Sequence, residues 1–389
     1  MIVAGVVIGC VLVASLLVAR TWARKPLVAG SPSADALGRA RDVVEAHGDD
    51  SLSPFILRPD KSFAFASGGV IAYRVIGRTA VVSGDPVGPT GSVATLVGPL
   101  MRRAHDAGGR VVLYGASARH LATYRELGLR AICVGEEAVV DPEVFTLEGR
   151  PVRKLRQSAN RVARRGWRIE AHRGREIDDA LESEIDALEA EWRSQRAHVL
   201  GFAMAMGEFD LGVRPADLYV LARSPEGRLS AVMRFLSCGG NLSLDTMRRV
   251  GETPNGLNES LVCRALLFAR EHGVREVSLN YAGLGHLVRS GPVGSRPARA
   301  VQRMALGVLR RHFQMDRLVL FNSKFSPEWR PRYLVYESRR ALPAAALRVL
   351  QAEGYLPDRR RGATDGAHQT THPAPLAPSG TWIDGHAGR

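Results

Sequence analysis

The alternation of short apolar runs with helix-length segments constrains the fold of this chain more than any other feature. Gly69-Val-Ile-Ala-Tyr-Arg-Val-Ile76 and Thr79-Ala-Val-Val-Ser83 read as a strand pair across a Gly77-Arg78 turn. A dense turn cluster, Gly84-Asp-Pro-Val-Gly-Pro89, follows. The pattern then predicts a helix over 91–107, a strand at Arg110–Tyr114, a helix over 117–126 and a strand near 130–140. Ahead of these, 36–47 suits a helix, and Pro54-Phe-Ile-Leu57 begins a folded core. Strands and helices mixed at this length predict an α/β or α+β domain ending near residue 148.

A second α/β unit starts with Asp217–Ala222 and continues through strands at Arg228–Leu236 and Asn241–Asp245. Pro254-Asn-Gly256 introduces a helix to about His272, with Leu257, Leu261, Ala265, Phe268 and Ala269 as its buried stripe. A strand at Glu276–Ala282, a helix over 297–313 and a strand at Leu318-Val-Leu320 complete the unit. Then comes Phe321-Asn-Ser-Lys-Phe-Ser-Pro-Glu-Trp-Arg-Pro-Arg-Tyr333, whose prolines forbid a regular helix. It is expected to leave the strand as a fixed turn, with Lys324, Arg330 and Arg332 able to hold an anion. A solvated basic loop is the plainer alternative.

Between the units, 150–168 carries Arg150, Arg153, Lys154, Arg156, Arg161, Arg164, Arg165 and Arg168 with no acidic residue. On a helix, Arg153, Arg156, Asn160 and Arg164 share one face, which could grip phosphates of RNA or lipid. Acidic 176–191 follows, and Ile185, Leu188 and Trp192 there supply an apolar stripe. The formal net charge of +14 points the same way, to polyanionic partners. Cys10, Cys133, Cys238 and Cys263 are not at metal-ligand spacing, so neither a zinc module nor a disulfide scaffold is expected.

Residues 2–19 carry no charge and approach the hydrocarbon thickness as a helix; Arg20, Arg24 and Lys25 follow at once. The positive-inside bias then predicts a single membrane anchor with a cytoplasmic body, a cleaved signal peptide being the alternative. The resulting division is an anchor at 1–20, linker and helix at 21–44, a first domain at 45–149, a second at 150–357 that includes the basic connecting helix, and a disordered tail at 358–389.

Several of these segments together resemble the cytoplasmic catalytic domain of aminoacyl-phosphatidylglycerol synthases, the phosphatidylglycerol lysyltransferases of multiple peptide resistance factor type. They are Phe55-Ile-Leu57 with Asp60-Lys61, Gly84-Asp-Pro-Val-Gly88, Lys154-Leu-Arg156 with Asn160-Arg161, Leu244-Asp-Thr-Met-Arg-Arg249 with Pro254-Asn-Gly256, Ser278-Leu-Asn-Tyr-Ala282, and Lys324–Tyr333. The resemblance covers roughly 45–357 and rests on order and spacing. It implies two tandem acetyltransferase-like domains, the second carrying the chemistry. The implied activity moves an aminoacyl group from aminoacyl-tRNA to a phosphatidylglycerol hydroxyl, giving a less anionic lipid that attracts cationic peptides less. The ester is already activated, so no cofactor and no metal is implied. The family's polytopic flippase region and the lysyl-tRNA synthetase half of its fusions have no counterpart in these residues, so lipid translocation is not expected and lysine as donor is not assured.

Transesterification needs a substrate anchor, help for the attacking hydroxyl and a cation for the developing oxyanion. Asp245 and Arg248, placed where a strand ends, match the family's functional pair. Asp245 is expected to orient the substrate amine or assist as base, and Arg248 to contact phosphate or carbonyl. Lys324 is the expected oxyanion or phosphate partner and Arg332 a phosphate contact, with Arg156, Arg161 and Asn255 as further substrate-binding residues. Gly84 and Asp85 are expected to be structural, and His286 is an alternative base. The rival readings are an acetyl-CoA-dependent N-acetyltransferase, disfavoured because no Gln/Arg-x-x-Gly-x-Gly/Ala run is found, and a catalytically inactive membrane-tethered RNA- or lipid-binding module.

Overall fold

The computed structural model describes residues 33–58, 60–150, 152–195, 214–283, 315–354 and 356. The described chain enters through helix α1 (Ala34–His47), whose first turn is capped by the Ser33 hydroxyl accepting from Ala36 N at 3.1 Å. Strands β1 (Ser62–Ala66), β2 (Gly69–Ile76) and β3 (Thr79–Ser83) form an antiparallel meander. Helix α2 (Ser92–Asp106) crosses to β4 (Arg110–Ser117), parallel to β3, and α3 (Leu121–Glu126) leads to β5 (Arg130–Val140). The basic helix α4 (Arg153–Arg164) precedes β6 (Arg168–Arg173), and α5 (Asp179–Ser194) lies between β6 and β7 (Leu218–Arg223). Strands β8 (Leu229–Cys238) and β9 (Asn241–Arg249) continue the antiparallel run. Helix α6 (Leu257–Glu271) then crosses to β10 (Val277–Gly283), parallel to β9. Helix α7 (Met315–Ser323), strand β11 (Glu328–Tyr336) and helix α8 (Leu342–Ala352) follow.

These strands make one 11-stranded mixed sheet in the order β1-β2-β3-β4-β11-β5-β10-β9-β8-β7-β6. Its centre is a reciprocal exchange. β5, from the first half of the chain, pairs with β10, while β11, from the second, pairs with β4; β5 and β11 pair with each other. Helix α8 also crosses over. Its Ala345, Val349 and Ala352 pack with Ile76, Val81 and Val112 on one face of β2–β4, opposite the α2 core of Val93, Leu96, Val97 and Leu100. In the second half, α4 and α6 cover one face and α5 the other, through Ile185, Leu188 and Trp192 against Tyr219, Leu221 and Val232. The predicted α6 stripe is buried throughout. Each fully buried leucine or phenylalanine in it contributes about 1.5–3 kcal/mol from apolar burial.

Three expectations are corrected. Leu318–Leu320 lie in helix α7, not in a strand; a three-residue apolar run has no period of its own, and only Val319 of the three is buried. The segment after it is mostly strand. Only 324–327 turn, and Glu328–Tyr336 enters the middle of the sheet. Pro331 lies opposite Glu136 in the ladder to β5, one residue before the ladder to β4 begins at Arg332, so it has a bonded neighbour strand on one side only. Finally, β9 does not end at Asp245 but runs to Arg249. The expected helix over 297–313 and the apolar run at 2–19 lie outside the described residues.

Candidate active site

The site is built on strand β9. Arg234 pairs with Thr246 and Phe235 with Leu244, so Asp245 is an extra residue, a β-bulge against β8. In a regular strand, residues three apart face opposite sides. The bulge brings Asp245 to the face that also carries Arg248, the face covered by α5. Asp245 Oδ2 accepts from Arg234 Nε at 2.6 Å. Arg248 Nε donates to Glu189 Oε2 at 3.0 Å, and its guanidinium lies 3.6 Å over the Trp192 ring. Asp245 and Arg248 thus share a face, each held by its own partner. Arg234, Asp245, Arg248 and Glu189 are all buried. Removing one member of such a pair would strand the other in a low-dielectric setting.

Burial works against the charge on Arg234, but Asp245, Tyr219 and Asp217 overcome it and raise its pKa. Asp217, at the start of β7, is pushed up to about 6 by burial, opposed by Arg214 and by the backbone of Ser237. Its Oδ1 accepts from Ser237 N at 3.0 Å.

Beside Asp245 the sheet splits. Strands β9 and β10 pair at only Leu242↔Val277 and Ser243↔Ser278. Against β5, β10 shifts register between Ser278 and Tyr281, and Asn280 takes a left-handed φ of 73°. Asn280 Nδ2 reaches across to donate to Leu244 O at 2.9 Å.

Lys324 lies on the other face of this split. It follows α7, and its Nζ donates to Glu259 Oε1 at 2.7 Å in the first turn of α6, 5.5 Å from the Phe321 ring centre. Phe325 is buried in the α6-side core and Trp329 packs against it, so these rings hold the turn. The structure therefore separates Lys324 from Asp245 and Arg248 by the thickness of the sheet, with the split between them.

Arg332 is 4% exposed, and its guanidinium is engaged on all sides. Nε donates to Glu137 Oε2 at 2.9 Å; Nη1 donates to both Asp50 oxygens at 3.0 and 2.9 Å and to Gly115 O at 3.3 Å; Nη2 donates to Ser51 Oγ at 2.7 Å and also meets Glu137. The expected open phosphate contact is instead a buried hub joining β11, β5, β4 and the loop after α1. Burial alone would raise the Asp50 carboxyl, and Arg332 overrides it, holding the pKa below the usual value. Arg156 is half-buried and donates to Leu147 O at 2.7 Å and Gly149 O at 3.2 Å, closing the loop before α4. Arg161, with Arg153, Lys154 and Arg164, is exposed on α4, and Asn255 is exposed just before Gly256, the left-handed N-cap of α6. A Cβ on Gly256 would come within 2.8 Å of Ser158 Cβ, so the glycine lets α4 seat against the start of α6. Asp85 accepts from Tyr124 Oη at 2.5 Å and from Ser117 N at 2.9 Å, a structural use. His286 lies outside the described residues.

A separate cleft of about 450 Å³ opens beyond the start of β10, over Val140, Phe145 and Phe325, beside Arg330 and Glu276. Arg330 grips Glu276 there with bonds of 2.8 and 2.7 Å. Among the described residues, no group of His, Cys, Asp or Glu is arranged to hold a metal ion, and no helix is long and apolar enough to cross a membrane.

Sequence reasoning missed Glu189, Trp192, Arg234 and Glu137 as members of this machinery. A signal existed for Arg234, the one charged residue in the Leu229–Leu236 run, which apart from Ser230 is otherwise apolar on both strand faces. Glu189 and Trp192, three apart on the α5 stripe, carried a weaker one.

Residues 41–336 match the family model described as phosphatidylglycerol lysyltransferase, C-terminal. The lysylphosphatidylglycerol biosynthesis bifunctional protein LysX of Mycobacterium marinum is 36% identical over 351 residues, covering 87% of this chain and 31% of the relative. The LysX protein of Nocardia farcinica is 33% identical over 324 residues, 82% of this chain and 29% of the relative. The chain thus spans about a third of the length of these curated relatives. Among solved structures, L-PGS from Bacillus licheniformis superposes with a TM-score of 0.72 at 25% identity, over 85% of this chain and 99% of that one. With the match running from within α1 to the end of β11, this chain belongs to the phosphatidylglycerol lysyltransferase C-terminal family.

Proposed function

We propose that this chain transfers an aminoacyl group, lysyl or another, from aminoacyl-tRNA to a hydroxyl of phosphatidylglycerol. The observation that carries this reading is the bulged strand β9, which sets Asp245 and Arg248 on one face of a split sheet while Lys324 stands on the other. An acyl ester lying in the split would be reached from both sides. The lipid hydroxyl attacks the ester carbonyl and loses its proton, charge builds on the carbonyl oxygen, and the tRNA ribose hydroxyl departs with a proton. Asp245, held by Arg234, orients the substrate amine. Arg248, braced on Glu189 and Trp192, and Lys324 are the cations for the oxyanion or a phosphate.

The cationic face of α4 lies on the Lys324 side, because Leu155 and Val162 seat this helix in the α6 core and turn Arg153, Lys154, Arg161 and Arg164 outward. Such a surface suits the tRNA backbone. In this reading 45–149 and 150–357 are two acetyltransferase-like domains. Their support is the repeated meander-then-crossover order, β1–β4 and β7–β10, in the two halves of the sheet. A span at 2–19 would tether the body to the cytoplasmic face, and 358–389 would be a tail. A product less anionic than its precursor would lower the attraction of cationic peptides to the membrane.

Purified protein, lysyl-tRNA and phosphatidylglycerol vesicles should yield a lipid whose mass is raised by one lysyl group. A panel of other aminoacyl-tRNAs reads donor choice. No aminoacylated lipid from any donor, or acetyl transfer from acetyl-CoA to a soluble amine without tRNA, would overturn the proposal.

A further inference from the structure

We infer that Ser278 and Asn280 are positioning residues that set the split between β9 and β10, and that Glu137 and Arg332 anchor them to the first half of the sheet. A continuous chain of hydrogen bonds connects these groups. Arg332, fixed on Asp50, Ser51 and Gly115 O, grips Glu137 Oε2. Glu137 Oε1 accepts from Ser278 Oγ at 2.5 Å, and Ser278 Oγ accepts from Asn280 N at 3.1 Å. Asn280 Nδ2 then bonds Leu244 O, on the peptide that leads directly into Asp245. The chain thus runs from the loop after α1, across β11, β5 and β10, to the residue before the bulge.

Both hydrogen-bonding roles of the Ser278 hydroxyl are used in it, and Arg332, Glu137 and Ser278 are all buried. A buried charge pair is seldom the most stabilising filling for a core. What this one supplies is direction, since the guanidinium is held by carboxylates from two separate segments. Asn280 is equally specific. Its φ of 73° is one that asparagine tolerates better than most side chains, and its amide provides the donor that glycine would lack. That donor satisfies the Leu244 carbonyl without closing the ladder, so the split stays open at a set width. Any effect on catalysis rests on the proposed transfer reaction; the effect on the split does not.

Two variants of the full chain separate these roles. Asn280→Asp keeps the shape and tolerance of positive φ, but its carboxylate cannot donate; Asn280→Gly relaxes the backbone and removes the bridge. Amide hydrogen exchange over 243–249 should quicken about tenfold in both, with 79–83 and 110–114 unchanged. In the transfer assay kcat should fall about 10- to 100-fold, with KM for aminoacyl-tRNA nearly unchanged. Unaltered exchange over 243–249 would overturn the inference, as would an Asp variant behaving like the parent protein, since backbone conformation alone would then matter. Glu137→Gln, read by the same exchange, should loosen the same segment, and no loosening would overturn the anchoring part. If the parent protein transfers nothing, that counts against the proposed reaction, and exchange still decides the split.

Discussion

The two parallel crossovers in this sheet are built alike and finished differently. In the first half, β3 and β4 pair without interruption from Thr79↔Arg110 to Ser83↔Tyr114. In the second, β9 and β10 pair at two positions and then part, with a bulge at Asp245 on one strand and a register shift around Asn280 on the other. The acidic residue following each short ladder is used accordingly. Asp85 is consumed by Tyr124 and the Ser117 amide, tying β4 to α3, whereas Asp245 is held by a guanidinium at the edge of a gap. One half of the sheet is therefore a closed support, and the other is a support opened where chemistry could be placed. The exchange of β5 and β11 makes the closed half a direct brace for the open one.

The largest test of this contrast is Arg332→Ala, which leaves Asp50 and Glu137 buried without their cation. Denaturant unfolding should show a loss of about 3–5 kcal/mol, and a loss below ~1 kcal/mol would mean that the halves do not depend on this hub. Asp245→Asn comes next. It should lower the transfer rate per folded molecule about 10²- to 10³-fold, in addition to the stability lost by leaving Arg234 buried without its carboxylate, whereas the first-half counterpart Asp85→Asn should cost stability with transfer per folded molecule unchanged.

The third test uses pH. The Asp217 carboxyl is raised from 3.8 to about 6 by burial, so between these values the folded state holds more protons than the unfolded state. Stability from this group is full below pH ~4 and declines as pH rises through ~6, by about 3 kcal/mol. Asp217→Asn should flatten that limb of the stability–pH curve, and an unchanged curve would refute the burial argument. Tyr124→Phe should cost about 1–2 kcal/mol by leaving Asp85 short of a donor, with transfer per folded molecule unchanged. The smallest effect on stability is expected from Arg161→Ala with Arg164→Ala, within about 0.5 kcal/mol. The slope of log affinity for tRNA against log salt should nevertheless drop by roughly 1.4, as for two single-strand phosphate contacts, or somewhat more for a duplex.

How much of this was legible depended on whether the signal was local. The β2–β3 hairpin, the α6 stripe and the cationic α4 followed from periodicity and turn chemistry, because burial of one face leaves a readable pattern. Leu318–Leu320 failed that test, being too short to show a period, and the strand after it was masked by two prolines whose cost depends on which neighbour supplies the ladder. Asp245, Arg248 and Lys324 could be named from their motifs. Their partners could not, since Arg234, Glu189 and Glu259 lie 11, 59 and 65 residues away from Asp245, Arg248 and Lys324, respectively.

The sequence by itself determined the mixed strand–helix character, the basic connecting helix and the family to which the chain belongs, because these reside in residue order and local pattern. Only the tertiary structure decided that Arg332 is an internal brace and that Asp245 and Arg248 share a face. The first depends on carboxylates brought in by the exchanged strands and the loop after α1. The second depends on one extra residue in β9, since a single-residue bulge reverses the facing of every side chain beyond it.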